Sequence, residues 1–298
     1  MFKNLNPSAL GVSGHQSELI ELALTYGFAG MDLNLAEFAT RVRLKGMPYA
    51  RRLIDSAKIR IGTFALPLEW ETDDETFQKE LKKLSEYADY AAQLGCTRCT
   101  AVLPPAGDAL PYHENFEFHR HRFYDICAAL KPAGVRLAVG FQAAEYLRRN
   151  RAFQFIHDLD ALTLLLNMVA APNLGLLLDT WDIVACGGSV DSIRKLPVQQ
   201  IVAVQVADMP AGTPIAELDE KSRLLPGGES GRIDVAGFLA VLRTGGYDGP
   251  VTAKPSRGAF QSRRRDVIIK QTSEALDKVL RPSAPPTAAR PVLATAAT

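Results

Sequence analysis

The chain is nearly without net charge: 34 Lys and Arg are met by 33 Asp and Glu, for a formal +1. That balance excludes a broad basic surface for nucleic acid or anionic membrane, so recognition falls to a shaped site. Cysteine is scarce. Cys96, Cys99, Cys127 and Cys186 are too few and too scattered for the disulfide framework of a small secreted domain. Cys96-x-x-Cys99 has no second pair, so it lacks the four ligands of a structural zinc site and reads as core packing. No apolar run approaches the roughly 20 residues that cross a bilayer. The best, Leu162 to Val169, is broken by Thr163 and Asn167. The segment Met1–Asn6 carries one positive charge and no apolar centre, unlike a signal peptide. These absences predict a soluble, cytoplasmic protein without membrane or nucleic-acid partners. A glycine-rich dinucleotide fingerprint is also missing, because Gly11-Val12-Ser13-Gly14 is not GxGxxG.

What is present is an alternation. Eight β-rich runs are predicted: Ala9–Ser13, Gly30–Leu35, Ile59–Leu66, Arg98–Leu103, Val135–Phe141, Leu174–Asp179, Ile201–Ala207 and Pro250–Lys254. Several are continuously apolar, as parallel strands buried on both faces must be. Between them lie helical stripes. Phe77, Leu81, Leu84, Ala88 and Ala91 fall on one helix face, as do Val235, Phe238, Leu239 and Leu242 after an Asp234 N-cap, and Ile269, Thr272, Leu276 and Val279. Eight β/α units in a chain of this length predict a single-domain (β/α)8 TIM barrel over residues 1–280, with an open doubly wound sheet as the alternative. Residues 281–298, RPSAPPTAARPVLATAAT, are rich in Pro and Ala without an apolar stripe and are predicted to be a disordered tail.

Barrel chemistry sits at the C-terminal ends of the strands. The polar residues there are Asp32 and Asn34, Glu69, Gln142, Asp179 and Asp182, Gln205 and Asp208, and Lys254. Each taken alone serves capping or turn-making as readily as catalysis. Asp179 stands out because it directly follows a run of apolar residues. Lys254, between Ala253 and Pro255 at the end of a buried strand, must be paired or functional. Asp179 or another carboxylate is its candidate counter-ion. The long segment between Asp208 and Asp234 carries Arg223 and reads as a binding loop. Arg223 suits a substrate hydroxyl, carboxylate or phosphate, or else a loop salt bridge. Trp70 and Trp181 suit an apolar sugar face or the core.

The segments Leu174–Trp181 (LGLLLDTW), Gln205–Pro210 (QVADMP), Arg223–Asp234 (RLLPGGESGRID) and Tyr247–Pro250 (YDGP) resemble the xylose isomerase-like barrels of the sugar-phosphate isomerase/epimerase superfamily. Gly95–Thr100 and Glu114–Arg120 are similar to one sugar isomerase/epimerase branch. The resemblance spans about residues 5–280. It implies isomerase chemistry on a carbohydrate or sugar-phosphate-like ligand, with one divalent metal held by Glu, Asp, His and Glu at the ends of strands 5 to 8. Here those places hold Gly140, Asp179, Gln205 and Lys254, and a His usual three residues after the Asp is Asp182. Asp179 and Gln205 are the only remnants of the metal set. No cofactor is therefore expected, and Mn²⁺, Mg²⁺ or Zn²⁺ only if other residues rebuild the site.

Three explanations stay open for Lys254. Its ammonium replaces the metal electrostatically, it forms a Schiff base with a carbonyl substrate, or the barrel is an inactive ligand-binding or scaffold subunit. Lys254, Asp179 and Glu69 are the catalytic candidates. Gln205, Asp208, Arg223, Asp182, Trp181 and Gln142 are the substrate-binding ones. A homodimer or a partner subunit is the expected assembly.

Overall fold

The computed structural model describes residues 1–281; the proposed tail lies, but for Arg281, outside them. Eight strands alternate with helices. They are β1 (Phe2–Leu5), β2 (Gly30–Leu33), β3 (Arg60–Ala65), β4 (Arg98–Val102), β5 (Arg136–Gly140), β6 (Leu174–Asp179), β7 (Ile201–Val206) and β8 (Pro250–Ala253). The helices are α1 (Gln16–Thr25), α2 (Leu35–Lys45), α3 (Met47–Ala57), α4 (Asp74–Gln93), α5 (Tyr112–Leu130), α6 (Leu159–Val169), α7 (Thr180–Ala185), α8 (Val190–Arg194), α9 (Val235–Thr244) and α10 (Arg265–Leu280). These eight barrel strands are all parallel, and each pairs with its neighbours in this order; apart from them, Ala106–Gly107 and Phe153–Gln154 pair antiparallel as a small second sheet. β1 closes the ring on β8, with Phe2 opposite Pro250 and Asn4 opposite Thr252. The expected TIM barrel is present.

One expected strand is misplaced. Ala9–Ser13 is a turn and exit segment, and the first strand is Phe2–Leu5. Lys3 and Asn4 interrupt its apolar pattern, yet both are buried because both are paired. The Lys3 ammonium donates to Ser273 Oγ and Asp277 Oδ1, each at 2.8 Å, which ties β1 to α10. Asn4 Nδ2 donates to Asp32 Oδ1 at 2.7 Å and Thr252 Oγ1 at 2.9 Å, linking three strands. The backbone of β3 passes so close that any side chain at Gly62 would collide with the Asn4 amide.

The predicted stripes are buried as drawn. Phe77, Leu84, Ala88 and Ala91 of α4 face the strands with Leu81 at the margin, and α9 starts where Asp234 accepts the Gly237 N–H at 2.8 Å. Full burial of each Phe or Leu contributes roughly 1.5–3 kcal/mol. β6 is buried over all six residues, so its final carboxylate is carried into the interior by the apolar run before it. Cys96, Cys99 and Cys127 are buried free thiols, and burial pushes each well above its ordinary pKa, as packing residues rather than ligands.

Candidate ligand site at the barrel mouth

Asp179 ends β6 and is buried. Its Oδ1 accepts the Trp181 N–H at 3.0 Å, which caps α7 and fixes the carboxylate. Arg223 reaches it from the loop after β7, with Nη1 donating to Oδ1 at 3.1 Å and Oδ2 at 2.9 Å. Its Nη2 donates to Asp182 Oδ2 at 2.6 Å, while Asp182 Oδ1 accepts the Ala143 N–H at 2.9 Å. One guanidinium thus clamps two buried carboxylates, and its carbon lies 4.6 Å from the centre of the Trp181 ring. Lys254, just past β8, stands 3.4 Å from Asp179 Oδ2. It keeps 30 % of its side chain exposed, against 8 % for Arg223.

The electrostatics follow from burial opposed by pairing. Burial works to raise the Asp179 carboxyl, but Arg223 and Lys254 outweigh it and hold the group below its ordinary pKa. Burial and the neighbouring Asp179 push Asp182 up to about 6 against the pull of Arg223. Burial works to discharge Arg223, yet the two carboxylates raise its pKa further and keep it cationic.

The backbone holds Arg223 in place. Asp208 and Leu224 form an antiparallel bridge, with N–H to O distances of 3.0 and 2.8 Å, so the loop folds back on the end of β7. The Asp208 carboxylate accepts the N–H groups of Met209, Arg232 and Ile233 at 2.8–2.9 Å. Arg223 O accepts the Ser256 N–H at 2.8 Å, strapping the loop to the exit of β8.

The candidates therefore divide. Asp179, Asp182, Arg223 and Lys254 form one charged cluster. Gln205 lies opposite Asp179 in the β6–β7 register, and its buried Oε1 has no hydrogen-bond partner. Gln142 is half-buried next to Ala143, which binds Asp182. Three other candidates are engaged within the protein. Asp208 faces its own loop, where its carboxylate staples the backbone. Trp181 is 1 % exposed and offers its face to Arg223. Glu69 is exposed, with its N–H donating to Glu80 Oε2 at 3.1 Å.

The principal partner of Asp179 is Arg223, where charge and strand position pointed to Lys254. A separate cavity of about 180 Å³ between the β1 and β2 exits has a mixed lining that includes Gln16, Asp32 and Arg41 beside Val12, Leu19 and Phe38. Asp32 spends Oδ1 on Asn4 and on the Thr63 N–H at 2.9 Å, and burial pushes its carboxyl up to about 6. Among the described residues, no three His, Cys, Asp or Glu side chains are grouped to hold a metal ion.

Parallel strands closed into a ring and alternating with helices define a (β/α)8 barrel, here with a charged cluster at the C-terminal ends of the strands. Residues 20–279 match the xylose isomerase-like TIM barrel family, and the chain belongs to it. It is similar to a 3-dehydroshikimate dehydratase of Pseudomonas putida, 25 % identical over 261 residues that make up 86 % of this chain and 38 % of that protein. The chain thus spans well under half the length of that relative. It is 25 % identical to an inosose isomerase of Halalkalibacterium halodurans over 150 residues, half of each chain. The solved structure of a xylose isomerase domain protein from Alicyclobacillus acidocaldarius superposes with a TM-score of 0.85 at 25 % identity, covering 94 % of this chain and 98 % of the other.

Proposed function

We propose that this barrel is a sugar isomerase/epimerase-type protein that binds a carbohydrate or sugar-phosphate-like ligand at its mouth, without a resident divalent metal. The observation that carries the reading is the pairing of Asp179, the one strong ligand kept from the family pattern, with Arg223 and Lys254.

The residues do not fit the family's metal. Both Asp179 oxygens already accept from Arg223, and the strand 8 carboxylate is a lysine, whose ammonium repels a cation. The strand 5 glutamate is replaced by Gly140, where a Cβ would stand 3.2 Å from the Leu177 side chain and make that leucine give by a few tenths of an ångström. What the site offers a ligand is different. Lys254 has free ammonium donors for a carbonyl, hydroxyl or phosphoryl oxygen, and its charge favours any oxyanion that forms there. The unpartnered Gln205 Oε1 accepts from a ligand hydroxyl.

Isothermal titration of the metal-stripped protein against ketoses, inososes and their phosphates tests this. Saturable binding that Lys254→Met weakens at least about tenfold, a loss of one charge-assisted hydrogen bond, supports the reading. Absence of binding across the panel removes it and leaves the inactive scaffold.

A second reading rests on Lys254 being the more accessible of the two cations. It makes the amine a nucleophile that condenses with a ligand carbonyl, losing water to form an iminium. Borohydride reduction with a bound ketose then gives a stable adduct in the wild type and none in Lys254→Met. An adduct that survives the substitution sinks it.

A further inference from the structure

We infer that Arg223 is a built-in replacement for a divalent cation, and that Asp179 and Asp182 form a latent cation site which its removal uncovers. This rests on the metal-free reading above and deepens it.

Two buried carboxylates contribute two negative charges, and Arg223 and Lys254 return two positive ones. The cluster is neutral as it stands. A divalent ion added to it would leave two buried positive charges uncompensated, which a low-dielectric site does not tolerate.

Geometry makes Arg223 the replacement rather than Lys254. A metal at such a site bridges carboxylates from different positions, and Arg223 does this by spanning Asp179 and Asp182 with two nitrogens of one rigid plane. Lys254 touches only Asp179, at 3.4 Å. With both cations neutralised, the site keeps oxygen donors on three side chains, the Asp179 carboxylate, Asp182 Oδ2 and the unpartnered Gln205 Oε1, and a bound cation takes over the charge compensation that Arg223 supplied. Hard divalent ions bind such oxygen sets.

The test compares the wild type, Arg223→Gln/Lys254→Gln, and the same double variant with Asp179→Asn added. Each is titrated with MnCl2 by calorimetry and by the electron paramagnetic resonance of bound Mn²⁺. The double variant is expected to take up one Mn²⁺ at least about 100-fold more tightly than the wild type, as removal of two neighbouring positive charges requires. Its melting temperature is expected to rise on Mn²⁺ addition, and Asp179→Asn to abolish both effects.

A folded double variant that ignores Mn²⁺ overturns the inference while leaving the metal-free wild type intact. Stoichiometric, tight Mn²⁺ on the wild type overturns both. If the double variant is unfolded alone, refolding in MnCl2 is the expected rescue, and failure of that rescue also counts against the inference.

Discussion

At the scale of single residues, the molecule's interior is settled by which carboxylates find cations. Asp179 has two and stays ionised, whereas Asp32 has amide and N–H donors only. With its folded pKa raised to about 6, Asp32 binds its proton more tightly folded than unfolded. Its cost to stability is absent below the unfolded carboxylate value near 4, grows as pH rises, and is complete above about 6. Asp32→Asn keeps the Oδ1 acceptor and removes that cost. It is expected to be about 1–2 kcal/mol more stable than wild type at pH 7 and to show no gain at pH 4, by urea denaturation at both pH values. Equal effects at the two pH values would count against a titrating Asp32.

Residue-level reading also explains what the sequence revealed of the site. Asp179 was legible because an apolar run delivers it to the interior, and Lys254 because a lysine there demands a partner. The Arg223 clamp was not, since its partners lie 44 and 41 residues away and meet it only through a loop with no periodicity to read.

At the scale of elements, the loop between β7 and α9 does the positioning. Its fixed points are the Asp208–Leu224 bridge, the Asp208 carboxylate and the strap to Ser256. Asp208→Ala leaves three backbone N–H groups without their acceptor. It is expected to cost about 2–4 kcal/mol in denaturant melts and to expose residues 209–232 to limited proteolysis. A wild-type cleavage pattern would show that the loop holds without its staple. Three helices, α4, α9 and α10, were readable from their stripes, and seven strands from apolar or β-rich runs. β1 was not, because Lys3 and Asn4 look like surface residues until α10 and β2 supply their partners.

At the scale of the whole molecule, closure of the ring depends on those same four residues. β1 joins β8 to β2, so a chain lacking residues 1–5 would present two unpaired edges and an open sheet. Such a truncation is expected to lose the single cooperative melt of an intact barrel and to self-associate, as read by near-ultraviolet circular dichroism and size-exclusion chromatography. A monodisperse product with native spectra would show that closure is not what β1 provides.

The covalent attachment of Arg223 has a further meaning. A metal ion comes and goes with supply: it is diluted, chelated, exchanged for a wrong neighbour, and leaves an apo form behind. A guanidinium built into the chain is present in every copy from the moment the loop closes on Asp208, at a stoichiometry no medium can change. On the metal-free reading proposed above, the barrel mouth is loaded by translation rather than by metal homeostasis, and starvation for metals is expected to leave it untouched.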